Sequence, residues 1–222
     1  MILQKEREMV AEAGRELLGS GLTVATGGNL SLCDRKKGLL AITPSGMDYR
    51  KLKAADICVL DLQGRQVDGR RVPSSETPMH LCILRARPEF NSVVHSHPPY
   101  CTAFSILREP IPAVHYLIPL MGNEIPVAEY ATYGTEAMGP AALRGLKSSK
   151  AVLLPNHGLI VAGATLDQTL NLSRIAEYVA QSYYLARSLG NPQPLPLAEL
   201  DNIRDQFSRY GQVKPAPARG RR

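Results

Sequence analysis

The chain has 222 residues, 44% of them apolar and 21% charged, with 26 basic against 20 acidic side chains and a formal charge of +6. That length allows one domain with a sizeable core, the composition is ordinary for a soluble globular protein, and no apolar run approaches the ~20 residues of a membrane span. Four of the basic residues, Lys214, Arg219, Arg221 and Arg222, sit in the tail "VKPAPARGRR"; without them 22 basic residues face 20 acidic ones, so the body is near neutral and no nucleic-acid partner is expected.

The opening "MILQKEREMVAEAG" has no signal-peptide apolar region, because charges interrupt it from Lys5 onward, and a cytoplasmic protein with no membrane partner is expected. Residues 5–20 place Met9, Val10, Ala13, Leu17 and Leu18 on one helical face, with Gly21 near the end. A turn-forming "TGGN" (Thr26–Asn29) follows. "GLLAIT" (38–43) and "ICVLDL" (57–62) read as strands, and "QGRQVDGR" reads as turns. "SSETPMHLCILRARP" predicts a helix with Thr77 as N-cap and Pro78 at its first position, ending near Pro88. "SVVHSH" is a predicted strand, and 99–107 a short helix. "AVLLPNHGLIVAGA" (151–164) predicts two strands around a Pro-Asn-His-Gly turn, and helices follow at 167–190 and 197–210. Strands interleaved with helices imply one layered α/β domain, assigned to residues 1–212, with residues 213–222 a basic, Pro-containing, disordered tail. Cys33, Cys58, Cys82 and Cys101 form no C-x-x-C pair, so disulfides are not expected.

His95 and His97 are two apart at the end of an apolar strand, so both side chains leave the same face and can share one ion. His157 stands in a second turn, beside Gly158. Three imidazoles with an open fourth position suit a catalytic zinc. His80 and His115 lack such settings and read as structural. Three short loops are rich in glycine and hydroxyl groups: "TGGN", "TPSG" (Thr43–Gly46) and "SSE" (Ser74–Glu76). Their N–H groups can form an anion nest, and Ser74 and Ser75 precede a helix N-terminus that favours a phosphate. Glu76, next to these loops, is a candidate ligand or general base.

With "TGGNLS", "TPSGMDY", "PSSETPMH", "VVHSHPPY", "VHY", "ATYGT", "LLPNHGLIVAG" and "FSRYG" in this order, the chain resembles the class II, zinc-dependent aldolases of the fuculose-1-phosphate and rhamnulose-1-phosphate group. The resemblance implies a three-layer α/β/α sandwich around a largely antiparallel sheet, in a C4 homotetramer with active sites between subunits. It implies reversible cleavage of a ketose 1-phosphate, L-fuculose 1-phosphate-like, into dihydroxyacetone phosphate and a small aldehyde, through an enediolate whose charge one zinc ion per subunit holds. It assigns His95, His97 and His157 to the zinc, and Glu76 to the zinc and then to proton transfer. Gly28, Asn29, Ser45, Gly46, Ser74 and Ser75 match the phosphate-binding loops. Tyr116 matches a tyrosine acting on the aldehyde oxygen, and Phe207 and Tyr210 a C-terminal pair at the aldehyde pocket, Tyr210 being counted with the catalytic groups. Tyr133 stands where the fuculose enzyme carries phenylalanine.

Three other readings are weighed. Ribulose-phosphate 4-epimerases carry aspartate where Glu76 stands and use a further aspartate after the H-x-H pair, whereas no aspartate occurs here between Asp68 and Asp167. Methylthioribulose-1-phosphate dehydratase shares the zinc and glutamate, but "VHY" and "YGQ" lean towards the aldolase. An adducin-like noncatalytic module loses the metal ligands, all of which are present.

Overall fold

A computed structural model describes residues 1–211; the expected tail at 213–222 lies outside the described residues. One sheet of seven strands runs in the order β4-β3-β2-β1-β5-β7-β6, formed by β1 (Asn29–Asp34), β2 (Leu39–Ile42), β3 (Cys58–Asp61), β4 (Gln66–Asp68), β5 (Ser92–Ser96), β6 (Ala151–Leu154) and β7 (Gly158–Gly163). Every strand pairing is antiparallel. Helices α1 (Gln4–Gly19), α2 (Thr77–Ala86), α3 (Pro99–Leu107), α4 (Met138–Leu146), α5 (Leu166–Leu189) and α6 (Leu197–Arg209) complete the fold.

The pleat explains the layering. On β1, Leu30 and Leu32 point one way, into a core shared with Val10 and Leu17 of α1. Cys33 points the other way, into a core with Leu40, Leu60, Val93 and Ile160 that Met79, Ile83 and Leu84 of α2 and Ala142 and Leu146 of α4 cover. Leu153, Leu159 and Val161 join Phe104 of α3 and Ala176 and Val179 of α5 in a third cluster on the α1 side. The expected α/β/α sandwich around an antiparallel sheet is what forms.

Three elements depart from the sequence reading. β1, β4 and α4 were not expected: the start of β1 is masked by turn formers, β4 lies inside the turn-rich "QGRQVDGR", and α4 carries Pro140 and two glycines. Thr77 is not the N-cap of α2. Glu76 holds that position without a side-chain cap bond, Pro78 falls one place later, and the Thr77 hydroxyl donates to Ser74 O at 2.6 Å. His97 lies just past the end of β5, and its N–H donates to Leu22 O at 3.0 Å instead of extending the sheet. No helix of the described residues is long and apolar enough to cross a membrane.

Candidate active site

β1 and β5 are neighbours, and Asn29 pairs directly with His95. The antiparallel run therefore brings the "GGN" loop against the H-x-H pair. Gly28 adopts φ +72°, and a Cβ there would meet His95 O at 2.6 Å; a Cβ on Gly27 would sit 2.8 Å from His97 Nδ1. The two glycines let the chain lie against both histidines, which no side chain would permit.

The β6–β7 turn delivers His157 to the same place. Nε2 of His97 and Nε2 of His157 lie 2.9 and 3.2 Å from Nε2 of His95. His95 Nδ1 donates to Leu159 O at 3.0 Å, which leaves its Nε2 as a lone pair facing the other two rings. Burial holds His95 well below the ordinary histidine range, helped by His157 and His97; it lowers His97 and takes His157 down to about 4. The imidazoles are neutral and converge, as metal ligands must. They form a group that could hold a metal ion.

Glu76 stands beside them, buried, with Oε2 3.2 Å from His95 Nε2 and Oε1 3.7 Å from His157 Nε2. Asn29 Nδ2 donates to Oε2 at 2.6 Å, whereas Oε1 is buried with no hydrogen-bond partner. Burial pushes this carboxyl up to about 6, against the lowering bond from Asn29. A buried, unpartnered acceptor facing three imidazole lone pairs fits a divalent cation, which would satisfy all four at once.

The three hydroxyl-rich loops are tied together. Ser74 N–H donates to Thr43 O at 3.1 Å and Ser45 N–H to Val72 O at 2.9 Å, across a bridge between Pro44 and Pro73. The Tyr49 hydroxyl donates to Gly28 O at 2.7 Å, fixing the "GGN" loop to the segment after "TPSG". Ser45, Gly46 and Ser75 are exposed, Gly28 half-buried, and Asn29 and Ser74 buried. The hydroxyls of Ser75 and Tyr133 are 2.7 Å apart, and the Tyr133 ring meets His157 edge-on at 5.7 Å. Tyr133 thus links the "SSE" loop to the histidines.

The remaining aromatic candidates lie elsewhere. Tyr116 stacks on Phe207 at 5.9 Å, and Tyr210 meets Phe207 edge-on at 6.1 Å. These three line a cleft of about 550 Å³ with Leu117, Ile175 and Ile203, and none of the histidines nor Glu76 belongs to it. The candidate residues therefore fall in two separate places in the described chain. His80, expected to be structural, is fully buried between Ser31 and Asn29, one turn after Glu76.

The buried histidines predict an acid-labile metal-free protein. Unfolding releases His80, held at about 3, and His157, held at about 4, to the ordinary 6.5. Below that pH the unfolded chain binds more protons, so stability falls as pH falls. Glu76, raised to about 6, binds its proton first in the folded state and offsets part of this between 6 and 4.5. His80 alone should cost about 2 kcal/mol by about pH 5. Thermal unfolding of chelated protein should show a lower Tm there than at neutral pH; an unchanged Tm would contradict the buried, neutral state.

Residues 8–184 match the family model described as Class II Aldolase and Adducin N-terminal domain. The chain is 42% identical to a 5-deoxy-D-ribulose 1-phosphate aldolase of Bacillus thuringiensis serovar kurstaki, over 96% of this chain and 100% of that one. It is 37% identical to a 5-methylthioribulose-1-phosphate/5-deoxyribulose-1-phosphate aldolase of Rhodospirillum rubrum, over 96% and 95%. A solved L-fuculose 1-phosphate aldolase superposes with a TM-score of 0.90 at 41% identity, covering 92% of this chain and 96% of that chain.

Proposed function

The chain belongs to the class II aldolase family and is a lyase, and on that premise we propose that it reversibly cleaves a ketose 1-phosphate with an apolar, deoxygenated end into dihydroxyacetone phosphate and a small aldehyde. The reading rests chiefly on one observation: an unpartnered carboxylate oxygen of Glu76 buried against three converging imidazoles, at the meeting point of three loops that hold no basic residue. Such loops hold a phosphate by N–H and hydroxyl donors and by the N-terminus of α2. The candidates are Gly28, Asn29, Ser45, Gly46, Ser74 and Ser75. The nonreacting phosphate then supplies binding energy that places the carbons.

The metal-dependent family and the donor set together favour zinc, held by His95, His97 and His157 with Glu76 as the fourth, exchangeable ligand. Bound there, zinc supplies Lewis-acid stabilisation of the negative charge that develops on the substrate when the carbon–carbon bond breaks. Glu76 moves the proton. In cleavage the C4 hydroxyl loses its proton to solvent as it becomes the aldehyde oxygen, the C3–C4 bonding pair passes to the dihydroxyacetone phosphate half, and protonated Glu76 gives its proton to C3 and is reprotonated from solvent. In synthesis Glu76 takes that proton back. A positioned carboxyl can do both, and in the metal-free protein burial already raises this one to about 6. Tyr116 acts on the aldehyde oxygen, and Tyr133, Phe207 and Tyr210 shape the aldehyde pocket.

The cleft of Tyr116, Phe207 and Tyr210 shares no lining residue with the histidine cluster, so the reading requires a neighbouring subunit to bring it there, in a cytoplasmic C4 homotetramer. Light scattering at assay concentration should give four copies; a fully active monomer would rule this out.

The relatives' names supply the substrates for the test: cleavage of 5-deoxyribulose 1-phosphate, 5-methylthioribulose 1-phosphate and L-fuculose 1-phosphate. The cleft walls of Leu117, Leu120, Ile175, Ile203 and Phe207 suit a methyl or methylthio end better than a hydroxymethyl one. Ribulose 1-phosphate, which differs from the first substrate by one hydroxyl, should therefore be cleaved with the lower kcat/KM. No cleavage of any ketose 1-phosphate would refute the proposal.

A further inference from the structure

His80 is a buried titratable group to which the reaction above gives no task. It lies on α2, one turn beyond Glu76, and is 0% exposed. Both ring nitrogens have partners: Ser31 Oγ is 2.7 Å from Nδ1, and Asn29 Oδ1 is 2.6 Å from Nε2. Ser31 and Asn29 are two apart on β1 and so face the ring from the same side of the strand. Asn29 Nδ2 in turn donates to Glu76 Oε2 at 2.6 Å.

The direction of this chain follows from donor chemistry. An ionised carboxylate only accepts, so Asn29 must turn its NH₂ to Glu76 and its oxygen to His80. That oxygen also only accepts, so His80 Nε2 carries the ring's proton. Burial keeps the imidazole neutral, with one proton, and Nδ1 must then accept from the Ser31 hydroxyl. All the donors point towards Glu76. With the other tautomer, two lone pairs would face each other at Asn29 Oδ1. The amide could relieve this only by flipping, which would turn its oxygen onto the carboxylate.

We propose that His80 is a positioning residue for Glu76: held in one tautomer by Ser31, it locks the Asn29 amide, which tethers Glu76 Oε2 and leaves Oε1 free to transfer the proton. The proposal rests on Glu76 being the proton-transfer group. A buried histidine with satisfied nitrogens would also be expected if it served only the core, so the test must separate the two.

The full chain, loaded with zinc, is assayed on a cleaved ketose 1-phosphate as wild type, His80→Leu and His80→Gln, each with and without Glu76→Gln. His80→Leu removes the donor to Asn29 and should lower kcat about 10-fold with little change in KM, as loss of a partner behind a reacting group does. His80→Gln can present an amide N–H near the position of Nε2 and should restore most of the loss. Adding His80→Leu to Glu76→Gln should cost nothing further, because the group it positions is already disabled. An equal loss in both backgrounds would mean a core role, and a loss confined to KM would mean phosphate binding; either overturns the proposal. If His80→Leu does not fold, Ser31→Ala replaces it in the same cycle, since it removes only the hydroxyl that fixes the tautomer. Imidazole ¹⁵N NMR reads the chain without any activity. A neutral Nε2–H tautomer for His80 supports it, and an Nδ1–H tautomer overturns it, even if no ketose phosphate proves to be a substrate.

Discussion

Exhaustive chelation, or His97→Ala, should remove both the bound metal and the activity together. Nε2 of His97 and Nε2 of His157 lie 2.9 and 3.2 Å from Nε2 of His95, a convergence that suits one ion able to hold the charge of a cleaved carbon–carbon bond. The three loops contain no lysine or arginine. A Lewis acid is worth several kcal/mol of transition-state stabilisation; at ~1.4 kcal/mol per decade, kcat should fall by about 10³-fold or more. Zinc added back to chelated wild type should restore the rate, whereas His97→Ala should stay inactive at the same zinc concentration because one of its three imidazole ligands is gone. Metal content by elemental analysis is the independent readout. Full metal retention in His97→Ala, or activity that survives thorough chelation, would contradict the assignment. Ser96, whose side chain leaves the opposite face of β5, makes a fair control: Ser96→Ala should keep its metal.

How much of this was legible in the sequence depends on the range of the interaction. The period-2 spacing of His95 and His97 was enough to place both rings on one face, and the turn around His157 was marked by its own proline and glycine. Those are local signals. The asparagine at position 29 was legible only as a loop residue matching a phosphate site, and the structure places its amide on Glu76, 47 positions away. The reason is β1. Its polar residues Asn29, Ser31 and Cys33 alternate with Leu30 and Leu32, but the alternation begins inside the glycine turn and was hidden by it. Without β1 there is no strand to carry Ser31 and Asn29 past His80, so His80 read as one more core residue of an apolar helix. The division of the aromatic residues was equally invisible. Nothing in the spacing of Tyr116, Tyr133, Phe207 and Tyr210 says that Tyr133 alone meets His157 while the others stack in a separate cleft. The layered fold survived these omissions because the remaining strands and helices carry enough apolar periodicity to set which face is buried.

Glu76→Gln should separate metal binding from chemistry. Three imidazoles suffice to hold zinc, so the variant should keep most of its metal. The amide occupies nearly the same volume and can still accept from Asn29 Nδ2, which limits the structural cost at a buried position. What it loses is basicity. A glutamine cannot take a proton from C3 of dihydroxyacetone phosphate nor return one after cleavage, and a positioned acid–base group typically contributes ~10²–10⁴-fold in rate. The loss should fall on kcat. It should appear equally in the exchange of the C3 proton of dihydroxyacetone phosphate with deuterium from solvent, a partial reaction that needs no aldehyde and so no contribution from Tyr116, Phe207 or Tyr210. Exchange is followed by NMR for wild type and variant at matched zinc content. Were Glu76 only a residue preceding a helix, glutamine would be nearly silent in both measurements. Equal exchange rates in the two proteins would remove Glu76 from the mechanism.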